Sequence, residues 1–448
     1  MNFGKDLFLK HDKVIVFAAS FILSWELCTY DYNYFLNSAF YFDRLLLIIL
    51  PFLIWRFPIL TPLYVGFAMV YRSQFNYPVD GFELFDKRLL FDVLLMYVAL
   101  AYVKIYFKKA NIHFVYLVLC IIASNYFISG VSKITMSPRG YEWLLNNNLS
   151  DLFLNVHARG WLCDYTEETI RSISNFLNDN SVLLQSIILV LELSALILLK
   201  NIRLCIGLLV LLCLMHFGIF LAGSMLFWKW MVMDLVLAIV LWRKKKYFEE
   251  LFFKKKMFTT SVLIIFSSVI WLRPYTIGWF DTKVNQYFTY EAEDENGKIA
   301  EVSKNELNPY HQWFQYDRFL FLVNKKCLPV SGFGYTNQYR LKARLDTALI
   351  ETIPWLQAKY GINHFDSLKY QKFNSFIKTY FNNKNEIQST NFFLGKLRPP
   401  HHLNNCVLGD ELKSLGKIKT FRVIYNLTQN KNGYLLPVTK QVVDEIHI

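Results

Sequence analysis

FVYLVLCIIASNYFISGV, residues 114–131, continues into Ser132-Lys133-Ile134. A helix crossing a bilayer needs roughly 17 to 25 mostly apolar residues. This run carries no charge until the lysine that ends it. Eight further runs of similar texture flank it: Val14 to Tyr30, Phe40 to Trp55, Phe57 to Tyr71, Leu89 to Phe107, Val182 to Leu199, Leu204 to Leu221, Met225 to Trp242 and Met257 to Leu272. The third of the nine in chain order is the shortest, with Pro58 and Pro62 at its start. Together the nine predict a polytopic all-α membrane bundle over residues 1–273. The first run ends in Trp25, Glu26 and Tyr30, not in a small-residue cleavage site, so no cleavable signal peptide is expected.

The composition agrees with this partition. The chain has 448 residues, 54% hydrophobic and 17% aromatic, with 48 Lys+Arg against 35 Asp+Glu and a net charge of +13. That excludes intrinsic disorder, collagen and a single water-soluble globule. The charge divides into +7 before residue 273 and +6 after it. In a chain with many spans a basic balance follows from topology, and no nucleic-acid motif is present, so no nucleic-acid partner is expected. With a cytoplasmic amino terminus, sixteen of the 26 basic residues before the boundary fall on the cytoplasmic side, the runs Arg243 to Lys246 and Lys254 to Lys256 among them. The expected location is the cytoplasmic (inner) membrane, with residues 72–88, 132–181 and 274–448 outside. Cys163, Cys327 and Cys406 are then extracytoplasmic, where one bridge among them and three free thiols fit equally well.

Residues 274–448 read as an extracytoplasmic α+β domain. Tyr287 to Ser303 forms a hairpin turned at Glu295-Asn296-Gly297, and Phe421 to Leu427 with Tyr434 to Val438 forms a second through Asn430 to Gly433. Leu341, Leu345, Leu349, Ile353 and Leu356 recur at helical spacing up to Gly361, and Ser367 to Phe381 makes a second helix with Phe373, Phe376 and Tyr380 inward.

Ionisable residues inside apolar spans are costly and default to functional candidates. Glu26, Asp43, Arg44, Asp92, Lys133, Glu192, His216, Lys229 and Asp234 qualify. Asp43, Arg44 and Lys229 lie near span ends, where snorkelling explains them. Glu192 has no basic neighbour in sequence and needs a partner from another helix. Lys133 stands out, because an amine held in low dielectric gives up its proton more easily and becomes available as a base. Gly130, one turn earlier, lets another helix or a flat ligand approach. His216 lies alone on an apolar helix, where a hydrogen-bonded core role competes with catalysis. Pro399-Pro400-His401-His402 offers two imidazoles, but adjacent side chains point apart on regular structure. No zinc pattern, phosphate-binding loop or nucleophile elbow is present, so no metal is predicted.

Tyr126-Phe127-Ile128-Ser129-Gly130-Val131-Ser132-Lys133-Ile134, followed by Tyr141-Glu142-Trp143, resembles the corresponding stretch of vitamin K-dependent gamma-glutamyl carboxylases and their bacterial relatives, the HTTM membrane proteins. Leu191-Glu192-Leu193-Ser194-Ala195 resembles that family's next helix, and Met215-His216-Phe217 with Gly223-Ser224-Met225-Leu226-Phe227 its histidine-containing helix and the start of the one after. The resemblance covers roughly residues 10–272. It implies Lys133 as the catalytic base toward a reduced, lipid-soluble quinone of the vitamin K type, with O2 and CO2 as co-substrates. It further implies that Glu192 and His216 orient that base or line its pocket, that Gly130, Trp143 and Phe227 contact the quinone, and that a secreted peptide or protein is the substrate. The family's earlier Asn-His-Ser-Tyr-Leu motif has no counterpart in residues 72–113. The alternative from a different class is a non-enzymatic membrane factor for maturation, export or immunity of a secreted peptide. A transporter is disfavoured by the lack of an inverted repeat.

Overall fold

The computed structural model describes residues 9–30, 40–73, 87–107, 113–307, 310–386, 393–405, 412 and 414–448. Thirteen helices occupy the described part of the first 273 residues: Lys10–Thr29 (α1), Tyr41–Arg56 (α2), Thr61–Ser73 (α3), Arg88–Tyr106 (α4), Phe114–Thr135 (α5), Glu142–Asn146 (α6), Leu149–His157 (α7), Glu167–Asp179 (α8), Ser181–Ser194 (α9), Ile202–Gly223 (α10), Trp228–Arg243 (α11), Lys245–Phe252 (α12) and Lys255–Trp271 (α13). Among the described residues the chain is mostly helical, with strands confined to its C-terminal region.

Helix α5 is the axis of the bundle. It is apolar over most of its circumference, as suits a helix surrounded by protein. Its apolar window is 89% buried, against 39% for α4 and for α10, and α4, α9 and α13 all pack on it.

Three helices among the described residues, α4, α5 and α10, are long and apolar enough to cross a membrane, and α8 with α9 and its 3-10 extension, bent by 62°, make a fourth if counted as one span. The expectation of nine is not supported on these terms. Helices α2, α3, α11 and α13 have 16, 13, 16 and 17 residues. At about 1.5 Å per residue such lengths reach roughly 20 to 26 Å, short of a hydrocarbon core of about 30 Å. Helix α1 has the length but carries Asp12, Lys13 and Glu26.

Two expectations of snorkelling also fail. Arg44 is fully buried and donates from Nη1 to the carbonyls of Cys28 (2.5 Å) and Tyr30 (2.8 Å), so it satisfies orphan acceptors at the end of α1. Lys229 is buried and ion-paired to Glu26 at 2.8 Å.

The C-terminal region contains Phe280–Asp281 (β1), Val284–Asp294 (β2), Ile299–Glu301 (β3), Lys326–Cys327 (β4), Tyr335–Thr336 (β5), Ile362–Asn363 (β6), Ile418–Lys431 (β7) and Tyr434–His447 (β8). Four strands form one antiparallel sheet in the order β3-β2-β7-β8. Both expected hairpins are present. The β2–β3 turn places Gly297 at φ 79°, and the β7–β8 turn puts Asn432 at 52° and Gly433 at 82°, both central residues left-handed as a two-residue type I′ loop requires. The helices of this region are His311–Gln315 (α14), Tyr339–Asp346 (α15), Ile353–Tyr360 (α16) and Ser367–Glu386 (α17). Helix α17 buries Phe373, Phe376 and Tyr380 as expected.

The single helix expected from Leu341 to Leu356 is instead α15, a 3-10 turn at Ile350–Thr352, and α16. Pro354 has no N–H to continue a helix and crowds the preceding turn, so it opens a new one. Leu349, in the gap, is 61% exposed.

Helical and C-terminal parts share a core, in which Leu152 and Phe153 of α7 pack with Met225, Phe227, Phe333 and Leu403. The Asn155 amide donates to the carbonyl of Thr282 (2.9 Å), and Leu226 N–H donates to the carbonyl of His402 (2.7 Å). Of the thiols, Cys327 is buried and its Sγ donates to the carbonyl of Lys325 at 3.8 Å, Cys163 is exposed, and Cys406 lies outside the described residues.

Candidate active site

Helices α5, α9 and α10, with α6, the start of α11 and residues 275–281, enclose a cavity of about 620 Å³. Lys133, Glu192, His216, Trp143 and Phe227 all line it. Residues drawn from four separate parts of the sequence therefore meet at one void.

Lys133 Nζ lies 2.6 and 2.7 Å from the two carboxylate oxygens of Glu192, both side chains buried. This is the cross-helix partner that Glu192 required. The pair has two charge-balanced forms, ammonium with carboxylate and amine with carboxylic acid. They differ by one proton moved along a short hydrogen bond, and neither leaves net charge in the cavity wall. Lys133 Nζ also sits 5.5 Å from the ring centroid of Trp143, whose indole N–H donates to the carbonyl of Trp279 at 2.9 Å.

Gly130 is not in the cavity wall. A Cβ there would meet Glu192 Cβ and Leu193 Cδ2 at 3.1 Å, so this glycine admits α9, not a flat ligand, and thereby sets Glu192 within reach of Lys133. Gly278 does similar work from the C-terminal side. Its absent Cβ would fall 2.8 Å from Met136 Sδ and 3.3 Å from the backbone nitrogen of Lys133, so residues 275–279 press on the end of α5.

A second polar group faces the same void. The Tyr126 hydroxyl donates to Asp234 Oδ2 (2.8 Å) and meets His216 Nε2 at 2.7 Å, all three buried. The His216 ring lies 4.9 Å from that of Phe227, which in turn meets the His402 ring edge-on at 4.8 Å. His402 Nδ1 donates to the carbonyl of Leu226 at 3.2 Å. His401 and His402 both border a void beside Glu26, and burial pushes the His401 imidazole down to about 4.

Sequence reasoning noted Asp234 but not its partner, and missed Tyr126, Trp279 and Asp281. Tyr126, Ser129 and Lys133 recur at spacings of three and four, a polar stripe on one face of α5 that was readable as a cavity lining. Asp281 carried no such signal. It lies in the cavity wall, accepts from the Asn147 amide (3.0 Å) and the Trp279 indole (3.2 Å), and is pushed up to about 7 by burial against those bonds.

No protein-family model, curated protein or solved structure matches this chain. Fold and site define a mostly helical protein with helices apolar enough to span a membrane, and a buried amine–carboxylate pair in a largely apolar cavity.

Proposed function

We propose that the chain is an integral membrane enzyme of the HTTM class, related to vitamin K-dependent gamma-glutamyl carboxylase, in which Lys133 is the base of quinol-linked chemistry on a secreted peptide or protein. The observation that carries this is the Lys133–Glu192 pair on the wall of a cavity of about 620 Å³, a volume within the range of small-molecule sites. In the amine form of the pair, Nζ accepts a proton from a ligand hydroxyl while Glu192 keeps its own. The resulting ammonium neutralises the charge left on the ligand. A reduced quinone would supply, with O2, the strong base that removes a glutamate γ-proton before CO2 adds. Trp143 and Phe227 form aromatic walls suited to a flat ring, and a ligand filling the cavity displaces water from the reacting groups.

The nine-span topology belongs to the same proposal. Helices too short by length alone still turn large apolar side chains outward: Phe42 of α2 is 71% exposed, Val70 of α3 63%, Trp242 of α11 71% and Ile270 of α13 77%. A chain in water would hide such surfaces. Lipid covers them if these helices tilt little and lean on their neighbours, with the amino terminus cytoplasmic and residues 274–448 outside.

The test is Lys133→Ala. Quinol-dependent modification of a peptide glutamate is abolished while membrane insertion is unchanged, and mass spectrometry of the purified wild type finds a bound quinone. Full activity in the variant overturns the role of Lys133. A stable peptide partner with no quinone turnover favours the non-enzymatic maturation factor.

A further inference from the structure

The cavity has a second polar pole, and the hydrogen-bond order there settles which of its atoms is left for a ligand. With Asp234 as the carboxylate, a group that can only accept, the single proton of the tyrosine hydroxyl goes to Oδ2 at 2.8 Å. The 2.7 Å contact between the same oxygen and His216 Nε2 must then be made with the imidazole proton, so Nε2 donates. In the neutral ring that leaves Nδ1 without hydrogen and able only to accept. Nδ1 is buried and has no partner among the described residues. His216 is itself 94% buried and lines the cavity. An acceptor in that position costs free energy unless something donates to it.

From this we infer that His216 Nδ1 is the second anchoring atom of the cavity, an acceptor for a hydroxyl of the bound molecule, and that Asp234 and Tyr126 are positioning residues that hold the imidazole in the tautomer that accepts. With the cavity read as a quinol site, one hydroxyl of the flat, lipid-soluble ligand is directed to the Lys133–Glu192 pair and the other to His216. Phe227 lies against the His216 ring at 4.9 Å, and Trp230 lies 5.6 Å from the Tyr126 ring, so the second pole is walled by aromatic faces. This rests on the reading of the cavity as a quinol site and adds the group that grips the far hydroxyl. Asp234 acts only through Tyr126, since its carboxylate is absent from the cavity wall.

Three probes separate the poles: 1,4-dihydroxynaphthalene, 4-methoxy-1-naphthol and 1,4-dimethoxynaphthalene, added without oxygen to the full chain in detergent and followed by quenching of tryptophan fluorescence from Trp143, Trp230 and Trp279. The measurement is made in the Lys133→Met/Glu192→Leu variant, where only the His216 pole remains. There the mono-ether, which keeps one hydroxyl, binds about tenfold more tightly than the dimethyl ether, the worth of one hydrogen bond to a buried acceptor. Adding Tyr126→Phe or Asp234→Asn frees the tautomer and erases that preference, while affinity for the dimethyl ether is unchanged. A general packing defect would weaken both probes together. A preference that survives both substitutions overturns the assignment of Nδ1 and leaves the quinol reading standing. No binding of the dihydroxy probe to the wild type overturns the quinol reading and this proposal with it. Should Asp234→Asn fail to fold, Tyr126→Phe, which removes one oxygen, decides the matter.

Discussion

Two buried carboxylates in the helical part hold lysines at nearly the same distance, yet only one faces a ligand-sized void. Glu192 binds Lys133 at 2.6 Å on the wall of a cavity of about 620 Å³. Glu26 binds Lys87 at 2.9 Å and Lys229 at 2.8 Å, accepts from the Tyr30 hydroxyl at 3.0 Å, and borders a void of about 20 Å³, room for about one water. Glu26 ties α1 to the start of α4 and to α11. Buried charge alone therefore does not mark a site in this protein. Charge beside unfilled apolar space is what singles out the Lys133–Glu192 pair as the candidate.

The sharpest way to break that contrast is to remove each carboxylate. Glu26→Ala strands two lysines in a closed interior and lowers stability by about 3 to 5 kcal/mol, read by denaturant unfolding in detergent. Glu192→Ala leaves Lys133 beside a cavity that admits water and costs clearly less, while abolishing ligand chemistry. Equal losses would show the two clusters to be equivalent.

The next test replaces the site pair by apolar groups. In Lys133→Met/Glu192→Leu no charge is left unpaired, so the melting temperature moves little, and quinol-dependent activity is lost. A large drop in stability would make the pair a structural bridge between α5 and α9.

A smaller effect is expected at Gly130. Gly130→Ala places a Cβ 3.1 Å from Glu192 Cβ, so α9 shifts by a few tenths of an ångström at a cost of about 1 kcal/mol. Activity falls more than stability, because the displaced carboxylate no longer brackets Nζ. Unchanged activity would show that close α5–α9 contact does not position the base.

The last test concerns pH. Burial raises Asp281 from 3.8 to about 7. For an acid raised in the folded state, the stabilising contribution is fully present below pH 3.8 and is lost as pH rises to about 7. Asp281→Asn flattens that part of the stability–pH curve, measured by thermal unfolding between pH 4 and 8 as order-of-magnitude bounds. A slope that persists in the variant assigns it to another group, with Asp151, raised to about 6 by burial beside Lys342, the first to examine.

Local patterns carried much of this. The helices around α5 follow from uninterrupted apolar runs, and the two hairpins from Asn-Gly turns with left-handed residues at Gly297 and Gly433. Lys133, Glu192 and His216 were legible because a charge or imidazole in an apolar run is conspicuous on its own. Trp279 and Asp281 were not, since a tryptophan and an aspartate next to a strand are ordinary where they stand in the chain, and Tyr126 showed only through its spacing from Ser129 and Lys133.

The sequence by itself determined the helical character of the described part of residues 1–273, the strand-containing C-terminal region and the short roster of charges that need partners, because apolar periodicity and the cost of burying charge are local properties. Only the tertiary structure decided that Lys133 pairs with Glu192, that Tyr126 joins His216 to Asp234, and that Gly130 serves a helix contact. Those outcomes depend on which faces of α5, α9, α10 and α11 meet across 59 to 108 residues of intervening chain, a matter of packing that no single segment encodes.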